Sequence, residues 1–231
     1  MATTCPLNSQ KDVSLAGMRS EAWVHRKFPL YSFPSVLINN FILELPIFIL
    51  NHYGLRVVGW FTMAQRLLIQ PLNFLGFAVS STYYVEASKL ILESKAAVVK
   101  MFWYTTRKMS WLGLILFGLL VLNASWIFRF VFGPSWIPSS LYVYILAIPY
   151  YLMFVSGSVG NTALVTRRQD LVLLREIIRA VMFGCLFVMT TYWKLTTTQT
   201  IWMLGIFLSV MYVVHFGISW LSLGSTRAQS K

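Results

Sequence analysis

Charge is the scarcest commodity in this 231-residue chain. Only 11% of its residues are Asp, Glu, Lys or Arg, where soluble domains carry about 25%. Acidic residues are rarer still: 7, against 19 Lys and Arg. There are two cysteines, Cys5 in a polar stretch and Cys185 in an apolar one, which excludes a disulfide framework and a cysteine-rich zinc cluster. Residues 1–32 lack the continuous apolar core of a secretory signal, so insertion is expected to rely on the later segments. No P-loop, HExxH, nucleophile elbow or helically spaced carboxylate pair occurs in the apolar segments. Enzymatic activity is therefore not expected, nor is a metal or cofactor.

What is abundant is apolar. Hydrophobic residues make up 57% of the chain and the mean hydropathy is +0.66. A membrane-spanning helix needs about 20 predominantly apolar residues. Six segments qualify, the fifth of them short: 34–53, 58–83, 111–132, 137–165, 177–193 and 201–223. The fourth is long and contains Pro149, a site for a kink. Trp60, Trp111, Trp126, Trp136, Trp193, Trp202 and Trp220 fall near the ends of these segments, as an interfacial aromatic belt requires. The stretch Glu86–Arg107 reads as the longest connection, forming an interfacial helix before the third span.

The net charge of +12 sorts by side. With six spans, the side of the termini holds Lys11, Arg19, Arg26 and Lys27, then Lys89, Lys95, Lys100, Arg107 and Lys108. Arg167, Arg168, Arg175, Arg179, Arg227 and Lys231 join them. The opposite loops hold only Arg56, Arg129 and Lys194. Basic residues accumulate on the cytoplasmic side, so both termini are expected in the cytoplasm, facing anionic lipid headgroups rather than nucleic acid. The expected fold is an all-α integral membrane protein. It comprises a cytoplasmic segment 1–32, a six-helix region 33–223 and a cytoplasmic tail 224–231.

Two ions interrupt the first pair of spans, Glu44 and Arg66. A charge near the bilayer centre costs at least about 2.5–3.5 kcal/mol on insertion scales. Both lie eleven residues from Leu55 in the intervening turn, which predicts equal depth. Asn40 shares a helix face with Glu44, and Arg66, Gln70 and Asn73 follow i, i+4, i+7. Pro46 and Pro71 each remove a backbone hydrogen bond nearby. The pattern admits two readings: a Glu44–Arg66 ion pair that fixes helix packing, or a polar lining of a transport path with Arg66 as docking cation. Ser156, Gly157, Ser158, Gly160, Asn161 and Thr162 point to close helix approach. Arg175, Glu176 and Arg179 precede the fifth span. Snorkelling explains them, with Arg175 and Arg179 as interfacial contacts to lipid phosphate. His52 and His215 read as isolated.

Several of these residues form an ordered series. Arg26-Lys27-Phe28-Pro29-Leu30-Tyr31-Ser32 is followed by Val57-Val58-Gly59-Trp60-Phe61 and Ala64-Gln65-Arg66-Leu67-Leu68. Pro71-Leu72, Leu75-Gly76, Phe130-Val131-Phe132-Gly133-Pro134-Ser135-Trp136, Ile145-Leu146-Ala147 and Arg167-Arg168-Gln169 come next. The series resembles the C-terminal half of O-antigen and capsule polysaccharide flippases, in the multidrug/oligosaccharidyl-lipid/polysaccharide exporter superfamily. Ser139-Ser140 replace that family's usual Ala-Gly pair. The resemblance implies one six-helix lobe of a two-lobe transporter, with residues before the first span akin to an inter-lobe linker. It implies a polyprenyl-diphosphate-linked oligosaccharide as cargo, moved across the cytoplasmic (inner) membrane for lipopolysaccharide, capsule or exopolysaccharide assembly. Gln65 and Arg66 fall on its lumen-facing helix. The implied partners are the lipid-linked substrate, membrane lipids, and either an N-terminal lobe or a second copy. Two alternatives accompany it: a partner-dependent or inactive fragment of such a flippase, and an enzyme of envelope glycan assembly, which the short, bare loops disfavour.

Overall fold

The computed structural model describes residues 37, 44–193 and 195–224. Asn40, the first part of the expected first span, segment 1–32, the tail after Gly224 and Lys194 lie outside the described residues, as do the two termini whose cytoplasmic placement was expected.

Every described element is helical. Helix α1 covers 44–51, and α2 runs Leu55–Pro71. Pro71 has no N–H to continue the ladder, and directly after it the chain widens into a π-helical turn over Leu72–Gly76. The helix resumes as α3, Phe77–Glu93. Helix α4, Lys95–Ile127, ends in a second π turn, Phe128–Phe132. A 3-10 turn, Pro134–Trp136, leads to α5, Ser139–Val159, and the short α6, Thr162–Val165. Helices α7, Gln169–Tyr192, and α8, Thr197–Gly224, follow. Gly54 and Gly133 adopt φ of +100° and +94° at the turns before α2 and before Pro134, a conformation that only glycine takes without strain.

Three stretches are long and apolar enough to cross a membrane: Lys95–Phe132, Ser139–Val165 and Thr197–Gly224. The other two long helical stretches are interrupted by polar side chains, Gln65, Arg66 and Gln70 in α2 and Arg175, Glu176 and Arg179 in α7. The outward face of α4 exposes Leu114, Ile115, Leu119 and Leu122. An apolar surface of that extent suits a hydrocarbon environment or a partner rather than water.

Helix α5 is the hub. It packs against α2, α3, α4 and α8 and is apolar on all sides, the pattern of a helix surrounded by others. Its Tyr142, Leu146, Tyr150 and Phe154 are buried beside Phe61, Leu68, Phe117, Leu186 and Leu204 in the main core. The helix runs unbroken through the buried Pro149. A smaller core gathers Tyr83, Ala87, Val98, Phe102, Val159 and Leu223.

Hydrogen bonds gather the connections at two ends. At one end Trp60 Nε1 donates to the Ser135 carbonyl at 3.1 Å, and Tyr53 Oη reaches the Leu195 carbonyl at 2.9 Å and Thr200 Oγ1 at 2.7 Å. At the other, Asn161 Nδ2 donates to Ser80 Oγ at 3.0 Å, the Tyr83 and Thr162 hydroxyls meet at 2.8 Å, and Lys95 Nζ donates to the Gly224 carbonyl at 3.2 Å. The helices thus alternate in direction.

The helices differ in extent from the apolar segments. Glu86–Arg107 is helical, as expected, but is not a separate connecting helix: α3 and α4 extend through it, separated by Ser94 alone. The fourth segment keeps its reach to Val165, with a turn at Gly160-Asn161 between α5 and α6. Helix α7 begins at Gln169, eight residues before the apolar segment that opens at 177.

Candidate functional site

Among the described residues two polar constellations interrupt the apolar bundle. The first is the α1–α2 pair. Glu44, Arg66, Gln70 and Asn73 are all exposed, whereas Phe61, Ala64 and Leu68 on the opposite side of α2 are buried. The polar stripe on α2 therefore faces away from the core. Among the described residues no ion pair joins Glu44 to Arg66. Equal distance from the turn does not bring them into contact, because contact depends on helix rotation as well as depth. Gln65 departs from the stripe: it is half-buried and its side chain interacts with the Tyr150 hydroxyl of α5. Asn40 lies outside the described residues.

The second constellation joins α7, α8 and the end of α5. Glu176 is 3% exposed. Its carboxylate accepts from Arg175, with Nη2 at 2.8 Å and Nε at 2.9 Å from Oε1, and from Arg179 Nη1 at 3.3 Å. A carboxylate so buried survives only when paired. Arg175 also places Nη1 2.8 Å from His215 Nε2. Guanidinium has no acceptor, so Nε2 accepts and the ring proton sits on Nδ1. Gly160 makes room for this ring: a Cβ there would stand 2.7 Å from His215 Nε2. Tyr212, one turn before His215, lies within electrostatic reach of Glu176 and Arg179, and Tyr150 within reach of Tyr212.

Arg175 and Arg179 are drawn inward onto Glu176, with side chains 22% and 11% exposed, instead of snorkelling outward. His215 is not isolated. A signal for this pairing exists in the sequence: Arg175 and His215 stand twenty residues either side of Leu195, in the turn between two antiparallel helices.

Outside the spans, Arg168 grips Asp170 through Nε–Oδ1 at 2.9 Å and Nη2–Oδ2 at 2.8 Å. The guanidinium hydrogen bonds hold the Asp170 carboxyl below the ordinary aspartate value. Among the described residues no group of three or more His, Cys, Asp and Glu could hold a metal ion.

No family model matches this sequence, and no curated protein or solved structure matches it either.

Proposed function

We propose that this chain is a membrane-embedded lobe that translocates a polyprenyl-diphosphate-linked oligosaccharide across the cytoplasmic membrane. In this reading six spans cross the bilayer with both termini in the cytoplasm, and the lobe acts with a second lobe or a second copy. The cargo feeds surface polysaccharide such as O-antigen or capsule.

One observation carries the reading: Arg66, Gln70 and Asn73 lie exposed on a helix whose opposite face is packed in an apolar core. Polar and charged side chains at membrane depth face a water-filled path or a partner, since contact with lipid is costly. A guanidinium held there offers a planar fork to a diphosphate or an acidic sugar. The π turn after Pro71 falls beside the stripe, where irregular backbone is tolerated if it lines a cavity. Glu44 adds an acceptor on the neighbouring helix. The resemblance of Ala64-Gln65-Arg66 and of Phe130–Trp136 to flippase segments supplies the cargo class.

The test is export of surface polysaccharide by an Arg66→Ala variant in cells that depend on this chain. Loss of export with normal membrane insertion supports the reading; wild-type surface polysaccharide overturns it.

A further inference from the structure

The groove between Leu55–Trp60 and Pro134–Pro138 is separate from both constellations. Its volume is about 580 Å³, within the roughly 300–1,000 Å³ of small-molecule sites. Its walls are held in place. Trp60 is fixed by its indole N–H on the Ser135 carbonyl. The Trp136 ring rests over Gly59, 3.9 Å from where a Cβ would stand. The left-handed Gly133 turns the chain so that Pro134–Trp136 folds back toward α2. Arg56 completes the lining, and among the described residues no hydrogen bond or ion pair engages its guanidinium.

We propose that this groove binds an acidic sugar ring, a uronate, with Arg56 holding its carboxylate and the two indoles contacting its C–H faces. The carboxylate matches one guanidinium fork, which donates two parallel hydrogen bonds. The electron-rich faces of Trp60 and Trp136 suit the weakly positive C–H groups of a pyranose. A lipid phosphodiester carries the same single charge and fits the same fork, so the indole faces and a volume suited to a ring, rather than charge, favour the sugar. The choice of a sugar rests on the glycan-transport reading. With that orientation the groove opens on the outer side, so it would engage the cargo as it leaves.

The test uses the full chain in phosphatidylcholine nanodiscs and saturation-transfer difference NMR. Trigalacturonate is the probe, maltotriose its neutral counterpart and glycerol 1-phosphate the headgroup mimic. Trigalacturonate should bind, and R56Q should weaken it by at least about tenfold, the loss expected for one charge-assisted pair. Arg56 is exposed, so R56Q leaves the packing intact, and maltotriose should respond equally in both proteins. Absence of trigalacturonate binding, or equal binding by R56Q, overturns the proposal. Displacement of trigalacturonate by equimolar glycerol 1-phosphate also overturns it and assigns the groove to lipid headgroups. Arg66→Ala should keep trigalacturonate binding. If that variant also keeps export, the transport reading fails while the groove stands; if export is lost but wild type binds no uronate, only the groove assignment fails.

Discussion

Arg175 Nη1 lies 2.8 Å from His215 Nε2, while the same guanidinium grips the buried carboxylate of Glu176. This pairing ties the start of α7 to the far end of α8. The two contacts differ in kind. One neutralises a buried charge, and the other joins a charge to a neutral ring. Replacing Glu176 with Gln leaves two largely buried guanidiniums facing a neutral amide and should cost about 3–5 kcal/mol. His215→Phe removes one hydrogen bond from a group that keeps its carboxylate and should cost about 0.5–1.5 kcal/mol. Thermal unfolding in detergent, read by circular dichroism, gives the order. A His215→Phe loss as large as that of Glu176→Gln contradicts it.

Gly160 sits under the same histidine. The methyl of Gly160→Ala would stand 2.7 Å from Nε2, so the ring must leave Arg175. Overpacking of this kind costs about 1–3 kcal/mol. Gly118 in α4 has nothing within 4 Å of its would-be Cβ, and Gly118→Ala should instead gain up to about 1 kcal/mol from helix propensity. Opposite shifts in melting temperature are expected, and equal shifts would contradict the packing described.

Thr162 and Tyr83 share a buried hydrogen bond of 2.8 Å between α3 and α6, and the Thr162 hydroxyl also bonds the Val159 carbonyl. The two deletions are therefore unequal. Tyr83→Phe leaves Thr162 a partner. Thr162→Val strands the buried Tyr83 hydroxyl and should cost about 1–3 kcal/mol. The same melting assay should place Thr162→Val below Tyr83→Phe.

Glu44 and Arg66 give a paired prediction about abundance and export. Because Arg66 is exposed and makes no ion pair with Glu44 among the described residues, Glu44→Gln should leave the amount of protein in the membrane unchanged. Arg66→Lys should retain part of the export that Arg66→Ala loses, since the ammonium keeps the charge but not the fork. A drop in Glu44→Gln abundance on immunoblots would mean that the two charges neutralise each other after all.

Asp170 supplies the pH dependence. Arg168 holds its carboxyl below the ordinary value, so the folded state favours the ionised form. The contact's contribution is present above the unfolded aspartate value of about 3.9 and is lost as pH falls through the lower folded value. The contact is solvent-exposed, and its effect on global stability is correspondingly small. NMR titration should find the Asp170 midpoint below that of a free aspartate, and Arg168→Gln should raise it. A midpoint indifferent to Arg168 contradicts this origin.

The chain's own chemistry fixes a good deal without tertiary information. Apolar runs of helical length place the helices, and the turn at Gly54 is legible between two of them, because both depend on neighbours in sequence; a proline alone does not place a defect, since α5 runs unbroken through Pro149 while the chain widens after Pro71. The polar stripe Arg66, Gln70 and Asn73 is likewise legible from its spacing, and its members do share exposure. Helix ends are less so: α3 and α4 run through a charged stretch because helix propensity, not polarity, decides where a helix stops. What only the packed structure decides is which faces meet. Glu44 and Arg66, at matched distances from their turn, do not pair. Arg175 and His215, equally matched about Leu195, do. Spacing gives depth along a helix, but rotation about the helix axis is set by packing around the central α5. That packing turns Arg66 outward and draws Glu176 inward.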